Sequence, residues 1–225
     1  MISRLPRWVE YGAFVLAFVA GNVNAVGLMG FKHQSISHLS GTATLLGTGL
    51  SQGTLSSTLH LLGILLSFLF GAAISGVFLS SDSLKLGRHY DTLLVFEGSL
   101  LLASIYFLNN GSLLGHYTAS AACGLQNALA SSYSGAVVRT THVTGIFTDL
   151  GLMLGAKLRG GQFDKRKALL FVLIIFGFIL GGTLGAYLFS RWQFFALGLP
   201  AMICFLLAIG YRVYRAAARR NLRVS

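Results

Sequence analysis

The chain has 225 residues, 54% of them hydrophobic and only 10% charged, with a mean hydropathy of +0.72. Soluble domains carry roughly 25% charged residues, so a conventional water-soluble enzyme is excluded. A net charge of +11 would suit nucleic acid, but the basic residues cluster between apolar runs without interleaved aromatics, which is the pattern of loops beside a bilayer rather than a nucleic-acid groove.

In chain order, the first apolar segment covers 9–31. Arg4, Arg7, the run from Tyr11 to Ala20 and Val23-Asn24-Ala25 imitate a signal peptide. The apolar run continues past that site to Phe31, so the segment is expected to stay as a first helix. A short stretch rich in Gly, Thr and Ser follows at 39–53. Full-length apolar segments then lie at 59–79, 91–108 and 116–137. A second short stretch occupies 143–157, and two more full segments lie at 168–189 and 194–214. Crossing the hydrocarbon core takes about 20 residues. The two short stretches either cross as short helices or re-enter on their own side, buried in protein.

The basic residues arbitrate. With six spans and two re-entrant segments, every Lys and Arg except Lys32 and Arg191 falls on the side of the termini. With eight spans, Lys85, Arg88 and Arg139 change sides as well. The excess of basic residues on cytoplasmic loops favours six. Both arrangements put the termini in the cytoplasm, with a basic tail at 215–225 that can touch anionic lipid. The fold expected is thus all-α and polytopic, with eight short spans as the alternative.

An internal match suggests duplication. His38-Leu39-Ser40-Gly41 corresponds to His142-Val143-Thr144-Gly145, and Gly21-Asn22-Val23-Asn24-Ala25 corresponds to Gly124-Leu125-Gln126-Asn127-Ala128. The repeats are expected at 9–108 and 116–214. Three spans and a short helix per half would invert the halves in the membrane, an arrangement that builds transporters with broken helices meeting near the midplane. Four spans per half would make the repeats parallel.

Polar groups at membrane depth are costly and mark function by default. Asp149 follows His142 by seven residues and Gly145 by four, on one helical face. It is expected either to carry a coupling proton or to pair with Arg139 or the basic loop after 157. His38 and His142 are proton-shuttle or capping candidates. Asn24, Gln126 and Asn127 either bind a polar ligand or tie helices together. Glu97 is a secondary candidate. His60 and His116, near span ends, are expected at the interface, and Glu10 is expected to pair with Arg4 or Arg7. Gly177, Gly181 and Gly185 form a stripe that admits a close neighbour, either within the chain or in a homodimer. Cys123 and Cys204 lie in apolar stretches and are expected to be inert thiols. No metal-ligand spacing, cofactor motif or hydrolase motif is present, so neither metal, cofactor nor enzyme activity is expected.

The strings Cys123-Gly124-Leu125-Gln126-Asn127-Ala128, Ser37-His38-Leu39-Ser40-Gly41-Thr42 and Thr140-Thr141-His142-Val143-Thr144-Gly145-Ile146-Phe147-Thr148-Asp149-Leu150-Gly151 resemble the YoaK-like family of bacterial inner-membrane proteins across essentially the whole chain. A typical member reads His-Met-Thr-Gly-Asn where this chain has Thr42, so a role needing that amide has no donor here. The resemblance implies a multi-pass protein of the bacterial inner membrane, with transport as the usual supposition. Secondary transport of a small polar or ionic solute is therefore expected, with a channel or a non-transporting scaffold as the alternatives.

Overall fold

The computed structural model describes residues 8–30, 33–79, 89–134 and 139–224. Arg4, Arg7, Lys32, Lys85 and Arg88 lie outside the described residues. Within them the chain forms α1 (Trp8–Met29), α2 (Leu39–Gln52), α3 (Leu55–Phe78), α4 (Tyr90–Asn109), α5 (Leu114–Ser134), α6 (Val143–Leu158), α7 (Lys165–Trp192), a 3-10 turn (Gln193–Leu197) and α8 (Gly198–Val224). No strand occurs among the described residues. Seven of the eight helices match a predicted segment to within about four residues at each end, while α8 runs on to Val224, through most of the predicted basic tail. α1 runs unbroken through Val23-Asn24-Ala25, with all three small or polar neighbours Gly21, Asn22 and Asn24 buried.

Four stretches are long and apolar enough to cross a membrane: Trp8–Met29, Leu55–Phe78, Tyr90–Asn109 and Lys165–Ala217, the last running through α7, the turn and α8. The polarity of the bundle is that of a membrane protein. Leu66, Phe70, Leu102, Val172, Phe176 and Leu206 are exposed, while Asn22, Glu97, Ser104, His116, Ser120 and Gln126 are buried. Lipid tails accept the first set and offer nothing to the second, which therefore turns inward. α5 has the length of a span but is less apolar than the four stretches, since protein covers most of it.

Two parallel helix pairs hold the bundle. Along α1 and α7, Gly177, Gly181 and Gly185 face the backbones of Phe14, Phe18 and Asn22 in turn. Any Cβ at Gly181 would collide with the Phe18 carbonyl, and one at Gly21 with the Phe178 carbonyl. The glycine stripe is thus taken up inside the chain. All three glycines are buried against α1. Along α3 and α5, a Cβ at Gly71 would strike the Ala121 carbonyl, and one at Gly124 the Phe68 carbonyl. The Ser120 hydroxyl donates to Ile64 O (2.8 Å) and the Ser75 hydroxyl to Leu125 O (2.8 Å). Small residues at such contacts let backbones approach closely, and this close packing drives helix association where lipid removes the hydrophobic incentive.

The ion pairs lie at one end of the bundle. Arg166 on α7 donates from Nε to Glu10 on α1 at 2.8 Å, and Arg212 and Arg215 on α8 lie 3.2 and 3.6 Å from Asp91 at the start of α4. Glu10 therefore has a partner from the second half of the chain in addition to any near its own end. Trp8 and Trp192 are exposed at opposite ends, as interfacial anchors should be. His60 and His116 depart from expectation. Both are buried, with rings 5.3 Å apart, and His60 Nδ1 lies 3.0 Å from the Tyr117 hydroxyl. Packing between α3 and α5 encloses the pair.

Candidate functional site

α2 and α6 are short, at 14 and 16 residues. Each runs back along the helix that follows it: α2 turns at Gly53-Thr54 into α3, with Gly49 beside Thr58. The start of α2 consequently reaches Phe68, near the middle of α3, and the His38 ring meets Phe178, near the middle of α7, edge-on at 6.0 Å. Their hydroxyls are exposed but return to their own backbone: Thr44 donates to Ser40 O (2.9 Å) and Thr148 to Thr144 O (3.0 Å). Such back-bonding satisfies a polar helix in apolar surroundings.

The starts of the two short helices share one cavity of about 390 Å³, lined by Ser37, His38, Ser40, Asn127, Thr141, His142, Thr144 and Gly145, with Leu39 and Phe68 as its apolar wall. Two matched connections shape it. The Asn24 side-chain oxygen accepts from the Ser35 hydroxyl (2.7 Å) and from the backbone N–H of Ser37 (3.2 Å), folding the chain before α2 back onto α1. The Asn127 oxygen accepts from the Thr141 hydroxyl (3.4 Å) and does the same before α6. Thr42 donates to Ser35 O at 3.2 Å and locks the first connection.

Among the described residues the lining holds donors and imidazoles and no carboxylate. The His142 side chain is held below its ordinary pKa by partial burial first, then by the Arg139 guanidinium and by His38. His142 precedes α6 and lies outside the four membrane-length stretches.

The residues singled out from sequence divide as follows. His38, Ser40, Asn127, His142, Thr144 and Gly145 line the cavity, and Asn24 braces its wall. Gly41 lies on α2 beside them but not in the lining, and nothing approaches the place its Cβ would take. Gln126 turns away and donates to Leu16 O on α1, so it ties helices. Glu97 is buried on α4 against Cys204 of α8, apart from the cavity lining. Asp149 is half exposed on α6, 3.5 Å from Lys167 Nζ. The basic segment after 157 was one of its two expected partners. Both thiols are buried and free, and no cluster able to hold a metal occurs among the described residues. Sequence reading passed over Ser37, Thr141 and Phe68. The signal for the first two was present, since each matched histidine is preceded by a hydroxyl residue.

Asp149→Asn removes only a partly exposed pair, whose worth is below about 1 kcal/mol. Thermal unfolding in detergent should therefore place this variant within a few degrees of the parent.

A family model described as "Protein of unknown function (DUF1275)" matches residues 12–210. No curated protein and no solved structure matches the chain.

Proposed function

Because the chain belongs to the DUF1275 family, to which no activity is attached, its function is read from its own site, and we propose that it is a membrane transport protein whose solute passes through the cavity between α2 and α6. One observation carries this reading. Two short helices begin beside the middles of longer ones and meet at a polar cavity, inside a bundle with an apolar exterior. Broken helices meeting at mid-depth are how secondary transporters expose backbone and side-chain polar groups to a solute.

The accompanying topology has six spans, with α2 and α6 as half-membrane helices. At 1.5 Å per residue they are about 21 and 24 Å long, short of a hydrocarbon core of about 30 Å. α2 ends where α3 begins and α6 ends where α7 begins, and in this topology those two points lie on opposite faces. The ion-paired end of the bundle, with most of the described basic residues, would face the cytoplasm together with both termini. We further propose that the chain is an inverted duplication of the YoaK-like type, resident in a bacterial inner membrane. Supporting it, Gly21 on Phe178 and Gly181 on Phe18 repeat Gly124 on Phe68 and Gly71 on Ala121, helix for matching helix. Asp149 then serves to anchor α6 to α7 rather than to couple protons. In that case Asp149→Asn leaves flux and its pH dependence intact.

Labelling from either side tests the span count. With six spans, Thr54→Cys and Gly111→Cys react with an impermeant thiol reagent added outside. With eight spans both react only from the cytoplasmic side. Flux is tested in proteoliposomes with labelled acetate, sulfate, glycine, glucose and choline. Gradient-driven accumulation of one of these supports a transporter. Flux that only dissipates gradients supports the facilitator that two opposed half-helices also suit. If none moves, the transport reading fails.

A further inference from the structure

We propose that the cavity between α2 and α6 is an anion site, built for a small solute that carries a carboxylate or another oxyanion group. The proposal rests on reading the cavity as the solute site and adds the chemistry of the solute.

The first ground is the helix ends. The start of an α-helix presents free N–H groups and about half a positive charge. α3 and α7 begin with that charge answered: Thr54 accepts from Ser57 N–H, and the Asp164 carboxylate accepts from Arg166 and Lys167 N–H. α2 and α6 begin with His38 and His142, neither of which makes a side-chain capping bond. α4 also begins uncapped, at His89, but carries Asp91 in its first turn; α2 and α6 have no acid in theirs, and both line the same cavity.

The second ground is independent of the helices. Ser37 is 3% exposed, lines the cavity, and its hydroxyl has no hydrogen-bond partner. A buried hydroxyl left unsatisfied is costly, and a ligand acceptor in the cavity would complete it. Asn127 adds a further donor, because its oxygen is used by Thr141 and its amide nitrogen remains.

The charge balance selects the ligand. Among the described residues the lining has no Asp or Glu, and the carboxylate on α6, Asp149, is paired with Lys167. Arg139 acts on His142 from the connecting segment. A cation would find no counter-charge here, and a polyol would need as many acceptors as donors. An oxyanion uses what is present: two helix starts, a serine hydroxyl, an amide nitrogen and two imidazoles.

The test is thermal unfolding of the purified protein in detergent, at constant ionic strength, against sodium sulfate, phosphate and acetate, with glucose and choline as neutral and cationic probes. Sulfate and phosphate stabilise any fold by exclusion from its surface, so the reading is the difference between the parent and a variant. In Ser40→Asp/Thr144→Asp, carboxylates sit in the first turns of both short helices, where the helix dipole favours them. This variant should fold at least as well as the parent and lose the saturable part of the oxyanion shift. Ser37→Ala should keep the fold and weaken the shift several-fold. The proposal is overturned if no oxyanion gives a saturable shift, if glucose or choline shifts the parent equally, or if the folded double variant keeps the parent's response. Proteoliposomes separate the two readings. Oxyanion binding without flux of labelled oxyanion removes transport and leaves the site. Flux of glucose or choline without oxyanion binding removes the anion site and leaves transport.

Discussion

Gly181→Leu is expected to prevent accumulation of a folded protein. The smallest side chain at this position already collides with the backbone carbonyl of Phe18, and no flexible group is there to yield. α1 and α7 would have to separate, losing the contacts that Gly177 and Gly185 make with Phe14 and Asn22. Overpacking a close-packed site typically costs about 1–3 kcal/mol, and more where backbone must move. Here the whole parallel pair depends on the contact, so the effect belongs at or beyond the top of that range. Gly71→Leu, against Ala121 on the other parallel pair, should be equally damaging. Gly210→Leu and Gly12→Leu, with nothing within 4 Å of the added Cβ, are the controls and should be nearly silent. Size-exclusion profiles and unfolding temperatures in detergent check all four. A monodisperse Gly181→Leu protein with the parent's stability would contradict the close packing of α1 on α7.

The second large effect concerns the cavity. Gly145→Phe is expected to abolish flux while the protein stays folded. A Cβ there meets only His142 Nδ1, at 3.9 Å, and the residue lines the cavity. A phenyl ring at this position takes up space that the proposed solute path needs, and its Cβ meets no other helix backbone. Gly151→Phe places the same ring on the same helix, where nothing lies within 4 Å and the cavity is not lined, so it should transport normally. Proteoliposome flux and unfolding temperature, measured on both, separate a blocked pathway from a broken fold. Normal flux through a folded Gly145→Phe protein would remove the cavity from the pathway.

Much of this was legible in the residues. Hydrophobic run length gave the helices, because a bilayer demands nearly continuous apolar segments and punishes anything else. Six of the eleven candidate site residues line one cavity, and the matched His-x-Ser/Thr-Gly strings pointed to it. Asp149 was the conspicuous choice because an acid near an apolar run is rare. Its partner, Lys167, lies in the first turn of α7 eighteen positions later, so only folding could choose between Arg139 and the basic segment after 157. Gln126 looked the same as Asn127 in the sequence, yet one amide faces Leu16 O and the other faces the cavity. Adjacent positions on a helix point about 100° apart, and the choice between them was set by which neighbour packed on which side.

By itself the sequence determined that this chain is helical, that its long segments suit a membrane, and that the glycine stripe on α7 must meet another backbone. Those properties follow from composition and local spacing. Tertiary structure decided what met what. It gave the stripe to α1, enclosed His60 with His116, and brought the uncapped starts of α2 and α6 to one cavity although about a hundred residues separate them. A helix start carries its partial charge wherever it lies. Only the packing of α2 along α3 and of α6 along α7 brings two such charges to one cavity.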